Sequence, residues 1–171
     1  MASAYDALTN LPVAVLLDNV RSMYNVGSFF RTIDAAGAGP LLLTGITSYP
    51  TKPGAASAGI RKTALGAEAN VRWEHAWEPA PLLDQMRTNG YQIAAIETTA
   101  HAVDLFDWQP EFPVCLIFGH EVDGIRPEVA ERCDVHVRIP MLGQKHSLNV
   151  ATAGGVVLFE LLRKYAALAK T

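Results

Sequence analysis

Cysteine is scarce in this chain, with two residues among 171, Cys115 and Cys133. Cys115 falls inside an apolar, strand-like run and Cys133 closes a short helical one, so two buried thiols in a reducing compartment are expected rather than a disulfide. No apolar run approaches the roughly 20 residues that a membrane helix requires. The first dozen residues have neither the basic head nor the apolar stretch of a secretion signal. No membrane association and a cytoplasmic location are therefore expected. Internal repeats, low-complexity tracts and linkers are also missing, so residues 1–171 are expected to form one domain with ample chain to bury a core.

Positive charge is in deficit too: the formal net charge is −3. That figure hides segregation. Between Glu74 and Asp134 lie twelve of the seventeen acidic residues beside three arginines, which leaves the flanks with five acidic and eleven basic residues, a net of +6. A basic face assembled from the two ends of the chain suits a phosphate backbone.

Strand-like apolar runs alternate with helical ones. Strands are expected at residues 13–17, 40–44, 71–73, 92–96, 114–118 and 135–139, and helices at 25–36, 59–65, 79–89, 127–133 and 147–169. The strands lack period-2 patterning, which argues for an α/β fold with a mostly parallel sheet and helices on both faces. The Pro-, Gly- and Ser-rich stretch 45–57 is long enough to be a mobile substrate-binding loop.

Three strand ends break into polar, small-residue loops, at Ile96-Glu97-Thr98, at Phe118-Gly119-His120-Glu121 and at Ile139-Pro140-Met141. In open α/β sheets ligands bind beyond the carboxyl ends of the strands, so the three are expected to share one cleft. Ser147 and Asn149 offer polar groups at the start of the last helix, and Ile139, Met141 and Leu148 supply apolar walls; the mixture suits an adenosine-type ligand. Asn25 reads as the N-cap of the first helix, with Arg31 lying over the bare Gly27 toward an anion-favouring helix end. Gly119 allows a ligand close to the main chain, and Gly124 a turn with positive φ. Gly154 and Gly155, unfavourable inside a helix, imply a second backbone packed against them. His75 and His101 read as solvated loop residues. A zinc set of Cys115, His120, Cys133 and His136 matches no common spacing, and no metal is expected. His146 beside Ser147 lacks the G-x-S-x-G elbow of a hydrolase.

Taken together, N-x-G-x-x-x-R at Asn25, Gly27 and Arg31, F-G-x-E-x-x-G at residues 118–124 and I-P-M-x-G-x-x-x-S-L-N-V at residues 139–150 resemble the three motifs of the SpoU/TrmH family of RNA ribose 2′-O-methyltransferases. The resemblance covers roughly residues 19–164. It implies a C-terminal trefoil knot at the cofactor site, a homodimer, S-adenosylmethionine as cofactor and transfer or ribosomal RNA as substrate. It also implies a catalytic group of Arg31, Asn25, Glu121, Ser147 and Asn149, and a cofactor site of Ile96, Glu97, Thr98, Gly119, Ile139, Met141, Ser147 and Leu148. The N-terminal RNA-binding domain that many members carry is expected to have no counterpart here, which leaves room for a helper protein in RNA recognition. RNA contacts are expected from Arg21, Arg31, Lys52, Arg61, Lys62 and Lys145. A guanidinium is a poor base, so Arg31 is expected to orient a phosphate and stabilise the developing alkoxide, with Glu121 holding Arg31 or loop amides in position. A non-catalytic RNA-binding factor that keeps the fold is the rival reading, and a nucleotide-binding enzyme acting on a small molecule is the third.

Overall fold

A computed structural model describes residues 5, 8–52 and 54–169. Residues 13–17 contain no polar side chain, and they form the fully buried strand β1 (Val13–Asp18) near the centre of the sheet. Around it run β2 (Leu41–Thr44), β3 (Trp73–Ala76), β4 (Gln92–Ile96), β5 (Val103–Asp104), β6 (Val114–Phe118) and β7 (Val135–Arg138). The strand order is β3-β2-β1-β6-β4-β7-β5, and every neighbouring pair is parallel. All the strands therefore end at one rim.

Both faces are covered by helices, as expected. Val13, Val15 and Leu17 pack with Val26, Phe29, Phe30 and Ile33 of α1 (Met23–Ala36), Ile60 of α2 (Ala55–Ala64) and Val157, Leu158 and Leu161 of α5 (Val150–Leu168). Ala14 and Leu16 point the other way, toward Leu82, Leu83 and Met86 of α3 (Ala80–Thr88) and Val129 of α4 (Pro127–Ala130). Burial on both sides explains the absence of period-2 patterning; each large side chain so buried contributes about 1.5–3 kcal/mol. Among the described residues no helix is long and apolar enough to cross a membrane.

Several local expectations need correction. Ser22, not Asn25, caps α1: its Oγ accepts the Asn25 N–H at 3.3 Å, which puts Asn25 inside the first turn. Helix α5 starts at Val150 with Asn149 as its cap, leaving Ser147 upstream of the helix. Helix α2 begins at Ala55, so the preceding loop is shorter than its composition suggested. The third strand lies two residues later than expected, and the two-residue β5 is too short to carry a period. His75 belongs to β3 and is half-buried. Helix α4 ends at Ala130, so Cys133 sits in the turn beyond it, half-buried.

The helix glycines serve packing. A Cβ on Gly27 would stand 2.3 Å from the Ile60 carbonyl oxygen and 2.0 Å from Thr63 Oγ1, so it is the backbone of α2, and not Arg31, that fills its place. Gly154 faces the Phe29 ring, with a Cβ position 2.3 Å from Cε1, where a second backbone was expected; Gly155 has only Thr32 Cγ2 at 4.0 Å.

Candidate active site

Strands β6, β4 and β7 are adjacent, so their expected loops open side by side into a cavity of about 290 Å³. Its walls include Ile96, Glu97, Thr98, Gly119, Glu121, Ile139, Met141, Ser147, Leu148 and Asn149, so ten of the residues singled out from sequence line one space. His120, Val122, Asp123, Arg138, His146 and Ala153 also line it. Of these, Ala153 was legible as the residue one turn beyond Asn149 on α5. Arg138 had no local signal, because what holds it at the rim is an ion pair with Asp104 of β5.

The loop after β6 folds back on itself. His120 and Gly124 exchange backbone hydrogen bonds at 3.0 and 2.9 Å, and Gly124 adopts φ +73°, a region glycine enters without strain. Gly119 is bare because a Cβ there would lie 2.3 Å from the Gly124 carbonyl; the close neighbour is the loop's own backbone, where a ligand was expected. Glu97 accepts the Ile125 N–H at 2.9 Å and ties this loop to β4. Arg126 donates two bonds of 2.9 Å to the buried Asp18 at the end of β1, which also accepts the Thr44 hydroxyl at 2.8 Å.

Glu121 and Asn25 together join the three motif segments. The Glu121 carboxylate accepts the backbone N–H groups of Arg21 (3.0 Å) and Ser22 (2.9 Å) and the side-chain amide of Asn25 (3.1 Å). Asn25 Oδ1 in turn accepts the amide of Asn149 at 3.2 Å, while Asn149 Oδ1 caps α5 by accepting the Ala151 and Thr152 N–H groups at 2.9 and 3.2 Å. Partial burial alone would raise the Glu121 pKa; the bonds from Arg21, Ser22, its own N–H and Asn25 more than offset that and hold it below the usual carboxylate range. Of the two roles expected for Glu121, the geometry favours holding loop amides.

Asn25 thus lies beside the cavity, bonded to its wall. Arg31 does not line the cavity: it is exposed on α1, six residues and about 9 Å of helix rise from Asn25. Among the remaining expected RNA contacts, Arg21, Arg61, Lys62 and Lys145 are exposed and Lys52 is half-buried. Among the described residues no group of three or more His, Cys, Asp or Glu is arranged to hold a metal. Burial, first of all, pushes the thiols of Cys115 and Cys133 up to about 12, far from the thiolate form that zinc requires.

Comparison with known proteins matches residues 12–159 to the SpoU rRNA Methylase family. Over 156 residues the chain is 34% identical to the 23S rRNA (guanosine-2'-O-)-methyltransferase RlmB of Pseudomonas syringae pv. tomato, covering 91% of this chain and 60% of that one. The A. aeolicus TrmH/SpoU tRNA modifying enzyme superposes with a TM-score of 0.81 at 28% identity, over 93% of this chain and 78% of that one. An AdoMet-bound rRNA methyltransferase from Sinorhizobium meliloti gives 0.80 at 31% identity, over 95% and 60%. The chain spans about 60% of the length of the curated relatives it matches.

Proposed function

Because this chain belongs to the SpoU rRNA methylase family, we propose that it is an RNA methyltransferase that moves a methyl group from S-adenosylmethionine to a ribose 2′-hydroxyl. The observation that carries this reading is that two motif segments line one cavity while the third is tied to them through the Glu121–Asn25–Asn149 chain of hydrogen bonds. The walls fit a nucleoside-bearing cofactor: Ile96, Ile139, Met141 and Leu148 are apolar, while Thr98, Ser147 and Glu97 supply a few polar groups. When bound, the cofactor supplies an electrophilic methyl on a sulfonium sulfur.

The protein's own work is alignment and charge management. As the O–CH₃ bond forms and the S–CH₃ bond breaks, the hydroxyl must lose its proton. Arg31, exposed and with no acid beside it in any hydrogen bond or ion pair among the described residues, is suited to grip the target phosphate and stabilise the developing alkoxide. A guanidinium remains protonated, so the proton passes to the RNA phosphate and on to water. Glu121 and Asn25 hold the start of α1, which carries Arg31.

In this reading residues 1–171 act as one methyltransferase domain. The family resemblance supports a homodimer and a trefoil knot at the cofactor site, and the composition supports a cytoplasmic location. Sedimentation at two concentrations tests the dimer. Mapping ribose methylation across total RNA from cells with and without the protein tests the reaction: a single lost position identifies the substrate, and an unchanged map together with intact RNA binding favours the non-catalytic rival.

A further inference from the structure

Beyond the cavity, β1, β2 and β3 each lead to an aromatic ring at the same rim. Tyr24 follows β1, Tyr49 follows β2 and Trp77 directly follows β3. The spatial order β3-β2-β1-β6 brings the three segments side by side along the rim. Trp77 is 70% exposed and Tyr24 49% exposed. His75 bridges the outer pair, with its ring centroid 4.3 Å from Tyr49 and 5.5 Å from Trp77. Two lysines complete the row: Lys52 Nζ lies 5.8 Å from the Tyr49 ring centroid, and Lys62 Nζ lies 5.8 Å from that of Tyr24.

An exposed indole clustered with Tyr49 and His75, with Lys52 near the Tyr49 ring, differs from a bare apolar patch, since a cation beside aromatic rings makes the surface positive as well as stackable. Proteins that hold single-stranded nucleic acid combine these two elements, aromatic faces for bases and cations for phosphates. A-form duplex RNA buries its base faces in the stack and offers such rings nothing to stack on. We infer that the β1-β2-β3 rim is a stacking platform for unpaired nucleotides of the substrate. This rests on the RNA-modifying reading above and narrows its substrate class.

The test uses the full chain and fluorescence anisotropy with a labelled single-stranded RNA of about 12 nucleotides and the same sequence as a duplex. Wild type is expected to prefer the single strand. Trp77→Ala should weaken single-strand binding about 5- to 50-fold, Trp77→Phe should keep it within about threefold, and duplex binding should not change. Cofactor affinity by calorimetry should be the same in all three, because Trp77 lies outside the cavity. Equal binding of the single strand by wild type and Trp77→Ala overturns the platform, as does equal loss on single strand and duplex, or a change confined to self-association, which would mark the row as a protein contact. If the cofactor binds and RNA is methylated while Trp77→Ala binds normally, the platform alone fails. If Trp77 governs single-strand binding but neither cofactor binding nor methyl transfer occurs, the proposed reaction fails and the platform stands.

Discussion

The carboxyl rim of one parallel sheet carries two unlike surfaces. Behind β6, β4 and β7 the loops are tied together by the Glu97–Ile125 bond, and they line a cavity with Glu97, Glu121 and Asp123 in its walls. Behind β1, β2 and β3 the rim lies open and carries rings and cations: Tyr24 with Lys62, Tyr49 with Lys52, and the exposed Trp77. The same topology thus carries a concave site of small-molecule size and, beside it, a broader rim of exposed rings and cations. A net charge of −3 reports neither, since it averages an acidic pocket with a basic rim.

The sharpest test of this division falls on its border, at Arg31. Arg31→Lys should lower the single-turnover methylation rate about 10²-fold at saturating RNA. Because the side chain is exposed, unfolding free energy should stay within about 0.5 kcal/mol of wild type. An unchanged rate would remove any specific guanidinium role.

Glu121 joins the two halves, so Glu121→Ala should cost about tenfold or more in rate through misplacement of the α1 start. It also carries a pH signature. A carboxyl held below its ordinary value of 4.5 stabilises the fold fully above that value, and the contribution is lost as pH falls through the lower folded-state value. The stability gap between wild type and Glu121→Gln should therefore be constant above about pH 6 and close progressively below 4.5. A gap that widened in acid would contradict the hydrogen-bond pattern.

On the open half, replacing Arg61 and Lys62 together by alanine should weaken RNA binding several-fold and reduce the salt slope by about 1.5, with no change in cofactor affinity. Equal losses of both ligands would mean the halves are not separable. On the shared scaffold the readout is stability rather than binding. Gly27→Ala, opposed by the Ile60 carbonyl at 2.3 Å, should destabilise by about 1–3 kcal/mol in thermal unfolding and affect both surfaces alike.

Motif loops were easier to read than the bonds that join them. The runs 92–96 and 114–118 became β4 and β6 with the expected bounds, because continuous apolar stretches of that length bounded by turns suit buried parallel strands. The cap of α1 was misread, since Ser22 and Asn25 are both good caps by type. Ser22 takes the role while Asn25 is drawn to Glu121, 96 residues away in sequence. Gly154 was rightly singled out as a packing position, but its partner is the Phe29 ring, a fact that depends on how α5 crosses α1. The aromatic row was not foreseen. Tyr24, Tyr49 and Trp77 lie in three unrelated segments, and only the adjacency of β1, β2 and β3 lines them up.

By itself the sequence determined an alternating, doubly covered parallel sheet and three polar breaks at strand ends, because burial on both faces and loop chemistry are written in local composition. Tertiary structure alone decided who meets whom: Asn149 with Asn25 across 124 residues, and Arg126 with Asp18 across 108. Such pairings follow from strand order, which no local pattern encodes, and a hydrogen bond forms only when both ends arrive within about 3 Å.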